Sequence, residues 1–170
     1  MDIEDREILL YPAAELTRVA EPVEAVDATI RALAGRMLEL MHAAEGMGLA
    51  APQVGVLLRL FVTRDPLDAC DGIVWINPEV EIIDDTLESG IEGCLSLPGI
   101  DVTVRRAAGV RIRGLDLDGA KVEAVSSEVM GRVWQHEYDH LEGRLIIDRM
   151  STMDRLRSRR ALRDLRRQDG

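Results

Sequence analysis

Residues 136–140 read His-Glu-Tyr-Asp-His. On a helix the side chains at i and i+4 lie one above the other, so His136 and His140 can grip one divalent metal while Glu137 reaches a water beside it. The competing reading is chance, because two histidines four apart are more often surface groups. Two features weigh against chance. The chain has only three His, and two of them fall in this pattern. The segment around them also reads as a buried helix: Val129, Val133, His136, Glu137 and His140 share one face, and Met130, Trp134, Tyr138 and Leu141 flank it. Burying two imidazoles and a carboxylate is costly unless something satisfies them.

A catalytic site of this type keeps one position open, so a third protein ligand is needed. Thermolysin-like proteases take it from a downstream Glu and metzincins from a third His. Neither is available: no His follows His140, and the last Glu, Glu142, points to another helical face. The ligand must come from upstream, from Cys94, Cys70, His42 or a carboxylate. Cys94 is the best of these. It sits in Glu92-Gly93-Cys94-Leu95-Ser96, where a glycine lets the backbone approach closely and the thiolate is a strong ligand for a borderline metal. Taken alone it reads as a buried small hydrophobe. Cys70, between Pro66 and Gly72, reads as loop, and His42 as a partly exposed cation at a helix C-terminus.

These residues need elements to carry them. Asp27 is a suitable N-cap, and Ile30, Leu33, Met37, Leu40, Met41 and Ala44 recur at helical spacing until Gly46 and Gly48. Either glycine alone reads as a helix end and turn. Residues 56–63, 73–77, 80–83, 102–104, 110–117 and 121–125 are short β-branched or Leu-rich runs with strand character, and Asp118-Gly119 marks a hairpin between the last two. Ser126 and Ser127 offer caps for the helix over 128–141, which Gly143 ends. A further helix is expected over 152–168. The pattern is that of one α+β domain, with antiparallel sheets surrounding a central metal-binding helix and with a C-terminal helix. Residues 1–150 form its body, and 151–170 a basic helix of the same domain.

Composition bounds the function. A chain of 170 residues hides roughly 70% of its unfolded surface, enough for a core without disulfides. Two Cys are too few for a secreted disulfide scaffold. With five aromatic residues, the core must be built from Leu, Val, Ile, Met and Ala. The acidic N-terminus and the lack of a long apolar run argue against a signal peptide, transit peptide or membrane span, so a cytoplasmic protein is expected. A net charge of −10 disfavours phosphate backbones as general partners. That charge is unevenly placed: residues 149–169 carry eight Arg against three Asp, or +5, which leaves −15 on residues 1–148.

Three segments together resemble the signature motifs of the bacterial peptide deformylases: Gly46-Met47-Gly48-Leu49-Ala50-Ala51-Pro52-Gln53, Glu92-Gly93-Cys94-Leu95-Ser96 and Gln135-His136-Glu137-Tyr138-Asp139-His140-Leu141-Glu142-Gly143. The resemblance covers most of the chain, from about Ile8 to Met150, with the motifs in the family's order. It implies a metal-dependent hydrolase that removes the formyl group from the N-terminal formylmethionine of nascent chains and releases formate. It also implies that Cys94, His136 and His140 hold one divalent ion, ferrous iron in the cell, with zinc, nickel or cobalt able to occupy the site. Glu137 would move the proton, the Leu95 N–H and the Gln53 amide would face the oxyanion, and Met47 and Gly48 would lie along the substrate.

Some positions stay open. Asp139 either pairs with a basic group such as Arg106, orienting the helix, or faces solvent. Arg132 stands one turn before His136, where many family members carry an apolar residue near the methionine pocket. It either pairs with Glu128 at i−4 or makes the pocket more polar, which would suit a paralogue with weak activity or a different formylated substrate. A zinc-dependent endopeptidase is a further alternative, disfavoured by the missing downstream ligand. A relic that binds a partner is another, disfavoured by the intact Cys94, His136, Glu137 and His140. The basic tail reads as a solvated helix capping the domain or, through its arginines, as a contact to ribosomal RNA. Formylated nascent peptides are the expected partners, with no membrane and no DNA.

Overall fold

The computed structural model describes residues 3–65 and 72–168. Helix α1 spans Ala28–Ala43, and the Asp27 side chain accepts from the Ile30 N–H at 2.9 Å, as an N-cap should. Its inner face buries Ile30, Leu33, Ala34, Met37 and Met41. The helix ends at Ala44, and Glu45 at φ 54° makes the turn, ahead of both glycines. Cys70 lies outside the described residues.

Strands β1 (Gly48–Ala50), β2 (Leu60–Arg64), β3 (Gly72–Glu92), β4 (Val102–Leu115) and β5 (Lys121–Ser126) form one five-stranded sheet. Each is antiparallel to the next, in chain order. Several runs that look separate in the sequence are continuous here. Residues 73–77 and 80–83 merge into β3, and 102–104 and the part of 110–117 up to Leu115 merge into β4. The polar breaks at Asn77 and at Asp84-Asp85 are absorbed as register shifts between Ile76 and Glu79 and between Ile82 and Leu87. Asn77, at φ 48°, leaves the regular strand and ties its amide to Val23, accepting from its N–H at 2.8 Å and donating to its carbonyl at 2.9 Å.

Helix α2 spans Val129–Leu141. Met130, Trp134 and Leu141 pack on Phe61, Trp75, Val110 and Ile112 of the sheet, with the two indoles edge to face at 5.7 Å. A Cβ at Gly131 would meet the Ser126 carbonyl at 2.9 Å, so the helix begins in close contact with the end of β5. The Ser126 hydroxyl accepts from the Glu128 N–H just before the helix. A short helix α3 (Ile146–Arg149) leads to α4 (Thr152–Gln168). Leu165, Ala161 and Leu162 of α4 join Leu16, Leu97, Val102 and Ile146 in an apolar cluster, so α4 caps the body. No helix among the described residues is long and apolar enough to cross a membrane.

Candidate metal centre

The metal-binding pattern lies on α2. Its polar face looks into a cleft of about 370 Å³, whose wall includes Met47, Gly48, Ile91, Cys94, Val129 and Val133. The rings of His136 and His140 meet edge to face, with centroids 5.1 Å apart. Cys94 follows the end of β3, and its Sγ lies 3.4 Å from His140 Nε2. The ligand atoms of Cys94, His136 and His140 all fall within 4.8 Å of one another. Distant in sequence, the three donors are assembled only when the end of β3 packs beside α2. His42, the remaining histidine, sits half-buried in the last turn of α1 and is not part of this cluster.

Glu92 orients the first imidazole. Its Oε2 is 3.1 Å from His136 Nδ1, which leaves Nε2 for the Cys94 side. The carboxylate is itself held by Arg106, at 2.9 and 2.8 Å. Burial alone would raise Glu92, but the Arg106 and His136 hydrogen bonds and charges outweigh it and keep the group well below the ordinary carboxylate range. Arg106 also donates to Asp139 at 2.5 Å, and Arg149 clamps the same carboxylate. Asp139 therefore takes the pairing alternative. Arg132 does not pair with Glu128. Its Nη1 donates to Glu92 Oε1 at 3.0 Å, because the start of α2 turns that side chain toward β3 rather than along the helix.

The donor chemistry fits a cation. Burial disfavours a charged His136, yet its contacts with Cys94 and Glu92 and the charge of Glu137 push it up to about 10. Burial and then repulsion from His136 and Arg106 hold His140 well below its usual value. The cluster thus attracts positive charge at one point while keeping a neutral imidazole beside it. A thiol and two imidazoles at that point suit a borderline divalent ion. His140 Nδ1 and Glu137 Oε2 are buried and have no hydrogen-bond partner among the described residues.

Glu137 is buried beside the cluster, and burial pushes it up to about 7, partly offset by the His136 charge. A carboxyl titrating there suits proton transfer at neutral pH. Gly48 makes room for it: a Cβ at that position would lie 2.5 Å from Glu137 Oε1. Gln53 is pinned by the Ala50 N–H, which donates to its Oε1 at 2.9 Å; its Nε2 donates to Ser96 Oγ at 3.1 Å and faces Cys94 Sγ at 3.5 Å. Among the described residues no acceptor takes the Leu95 N–H. Met47 is exposed on the cleft wall.

Sequence reasoning left Glu92 and Ser96 without roles, although both stand in the Cys94 motif. The signal for the cleft wall was present, since Val129 and Val133 share the helical face of the histidines.

A family model described as Polypeptide deformylase matches residues 5–156. The chain is 45% identical to a peptide deformylase of Azotobacter vinelandii, covering 96% of this chain and 97% of the relative. It is 42% identical to one of Pseudomonas aeruginosa, covering 95% and 96%. Among solved structures, a peptide deformylase from Legionella pneumophila superposes with a TM-score of 0.87 at 39% identity, over 96% of each chain. One from Plasmodium falciparum superposes at 0.86 and 34% identity, over 95% of this chain and 96% of that one.

Proposed function

Because the chain belongs to the polypeptide deformylase family, we propose that the cleft beside α2 is where it hydrolyses the N-terminal formamide of nascent polypeptides. The enzyme is a peptide deformylase: water adds to the formyl carbon, the carbon–nitrogen bond breaks, and formate and a free N-terminal amine leave. The observation that carries the site assignment is the convergence of Cys94, His136 and His140 beside the buried Glu137.

In this reading Cys94, His136 and His140 hold one divalent ion. When bound, that ion supplies the Lewis acidity that lets water attack an unreactive amide at neutral pH. Glu137 takes the proton from the attacking water and passes it to the departing amine. The Leu95 N–H and the Gln53 amide face the oxygen that gains negative charge. Gln53 is suited to this because Ala50 and Ser96 fix its orientation before the substrate arrives. Gly48 and Met47 lie along the formylated residue, whose side chain enters between Val129 and Val133. Residues 1–150 form the catalytic part, and α4 belongs to the same domain. The family is metal-dependent, and ferrous iron is the ion this reading places in the cell, with zinc, nickel and cobalt as replacements. Nascent chains place the enzyme in the cytoplasm.

Anaerobic loading with Fe2+ and assay on formyl-Met peptides tests the function, and formate release is the expected result. Metal-loaded protein without turnover overturns it. Glu137→Ala should abolish turnover yet retain the metal; loss of the metal instead would contradict its role as proton carrier.

The outer face of α4 supports a second contact. Arg157 and Arg160 side chains are 75% and 87% exposed, and their ion pairs to Asp154 and Asp164 are long, at 4.0 and 3.8 Å. We assign this face to ribosomal RNA. Reversing both arginines to Glu should reduce cosedimentation with ribosomes and weaken its salt dependence; unchanged association refutes the contact.

A further inference from the structure

Arg132 makes contacts that neither the helix periodicity nor the catalytic assignment requires. It projects from α2 and donates from Nη1 to Val104 O of β4 and to Glu92 Oε1, each at 3.0 Å. Nη2 donates to Glu88 O of β3 at 2.8 Å. The guanidinium lies flat against Gly90, where a Cβ would meet Cζ, Nε and Nη2 at 2.8, 2.9 and 3.0 Å. A glycine in the middle of a strand weakens it, and here its lack of a side chain is what admits the guanidinium. Arg132 thus joins three places: the helix that carries His136 and His140, the strand end that leads two residues on to Cys94, and the carboxylate that holds His136 Nδ1.

We propose that Arg132 is a positioning residue for the metal centre, bracing the Cys94-bearing end of β3 against α2 and fixing Glu92 in the orientation that His136 uses. The proposal rests on Cys94, His136 and His140 being the ligands. The physical basis is geometric. A metal site of three protein donors tolerates only small errors in donor placement, and the Cys94 thiol and the two imidazoles sit on separate elements, so the contacts between those elements set how well the donors converge. Arg106 ties Glu92 to the C-terminal half of α2 through Asp139. Arg132 ties it to the N-terminal half, so the two guanidiniums grip the carboxylate from opposite ends of the helix. Its side chain is only 20% exposed, so these bonds are partly shielded from water.

The test uses the Co2+-substituted full-length protein, whose visible bands report donor geometry and thiolate ligation without turnover. Arg132→Met keeps the length of the side chain and removes every donor. It should shift the d–d bands and lower cobalt affinity, measured by chelator competition, by about tenfold to a hundredfold. Arg132→Lys, with its charge retained, should recover part of this. Gly90→Ala touches neither the ligands nor the cleft, yet should displace the guanidinium and give the same spectral shift. Combining Gly90→Ala with Arg132→Met should add little, as coupled positions do. Unchanged bands and affinity in Arg132→Met, with only a lower melting temperature or a higher KM, overturn the brace. A wild-type spectrum without a thiolate-to-cobalt charge-transfer band overturns the ligand assignment instead.

Discussion

Individual side chains in this site are chosen for what they leave room for as much as for what they touch. Gly48 is the clearest case. Its missing Cβ is the space that Glu137 Oε1 occupies. Gly48→Ala should therefore displace Glu137 by about an ångström and lower kcat about a hundredfold, with metal content unchanged by atomic absorption. A variant that loses metal in proportion to activity would show that Gly48 supports the ligands instead. Glu92 illustrates the opposite pressure. With a side chain 5% exposed, it is tolerable only because Arg106, itself 3% exposed, and Arg132 satisfy it. Removing one member of such a buried group strands the others, which typically costs about 3–5 kcal/mol. The motif containing Glu92 was legible in the sequence. The guanidiniums that hold Glu92 were not, since both lie far from it along the chain.

Among the elements, α1, α2 and α4 were legible, the short α3 was not, and the strands were only partly so. Helical periodicity is local, and the Asp27 cap and the α2 face follow from spacing within a few residues. Strand ends depend on the neighbouring strand. Asp84-Asp85 resembles a turn in isolation, but pairing with β4 continues past it through register shifts. Helix α4 shows how little apolar surface anchors an element. Leu165 is buried while Met153 and Leu156 are exposed. Polar contacts supplement it: Ser151 Oγ accepts from the Asp154 N–H at 3.1 Å, and Asp154 accepts from the Thr103 N–H of β4 at 3.2 Å. Leu165→Ala should cost about 2–5 kcal/mol in denaturant unfolding if α4 unfolds with the body. A cost under about 0.5 kcal/mol, the range of ordinary surface substitutions, would mean that α4 detaches independently.

For the whole molecule, the net charge of −10 averages an acidic body and a basic helix. The Cys94, His136 and His140 cluster joins the chain just after β3 to α2, so an ion bound there should stabilise the entire fold. Ligand present at a thousand times its dissociation constant contributes about 4 kcal/mol. Chelation under reducing conditions should accordingly lower the melting temperature by several degrees in calorimetry, and readdition of Zn2+ should restore it. His140→Ala should melt at the same temperature with or without the ion. Persistent metal stabilisation in that variant would count against His140 as a ligand.

The sequence by itself determined the chemistry that α2 could carry. A pair of histidines at i and i+4 with an intervening Glu is a property of helix geometry alone, and the search for a third ligand could be narrowed to a short set with Cys94 at its head. What only the tertiary structure decided was which distant groups meet. Cys94 reaches the histidines, Glu92 the His136 ring, and Arg132 the end of β3 rather than its helical neighbour Glu128. Helical spacing constrains contacts within a turn. Contacts between β3 and α2 are set by the sheet register and by the packing of Met130, Trp134 and Leu141 on the strands, to which no local pattern gives access.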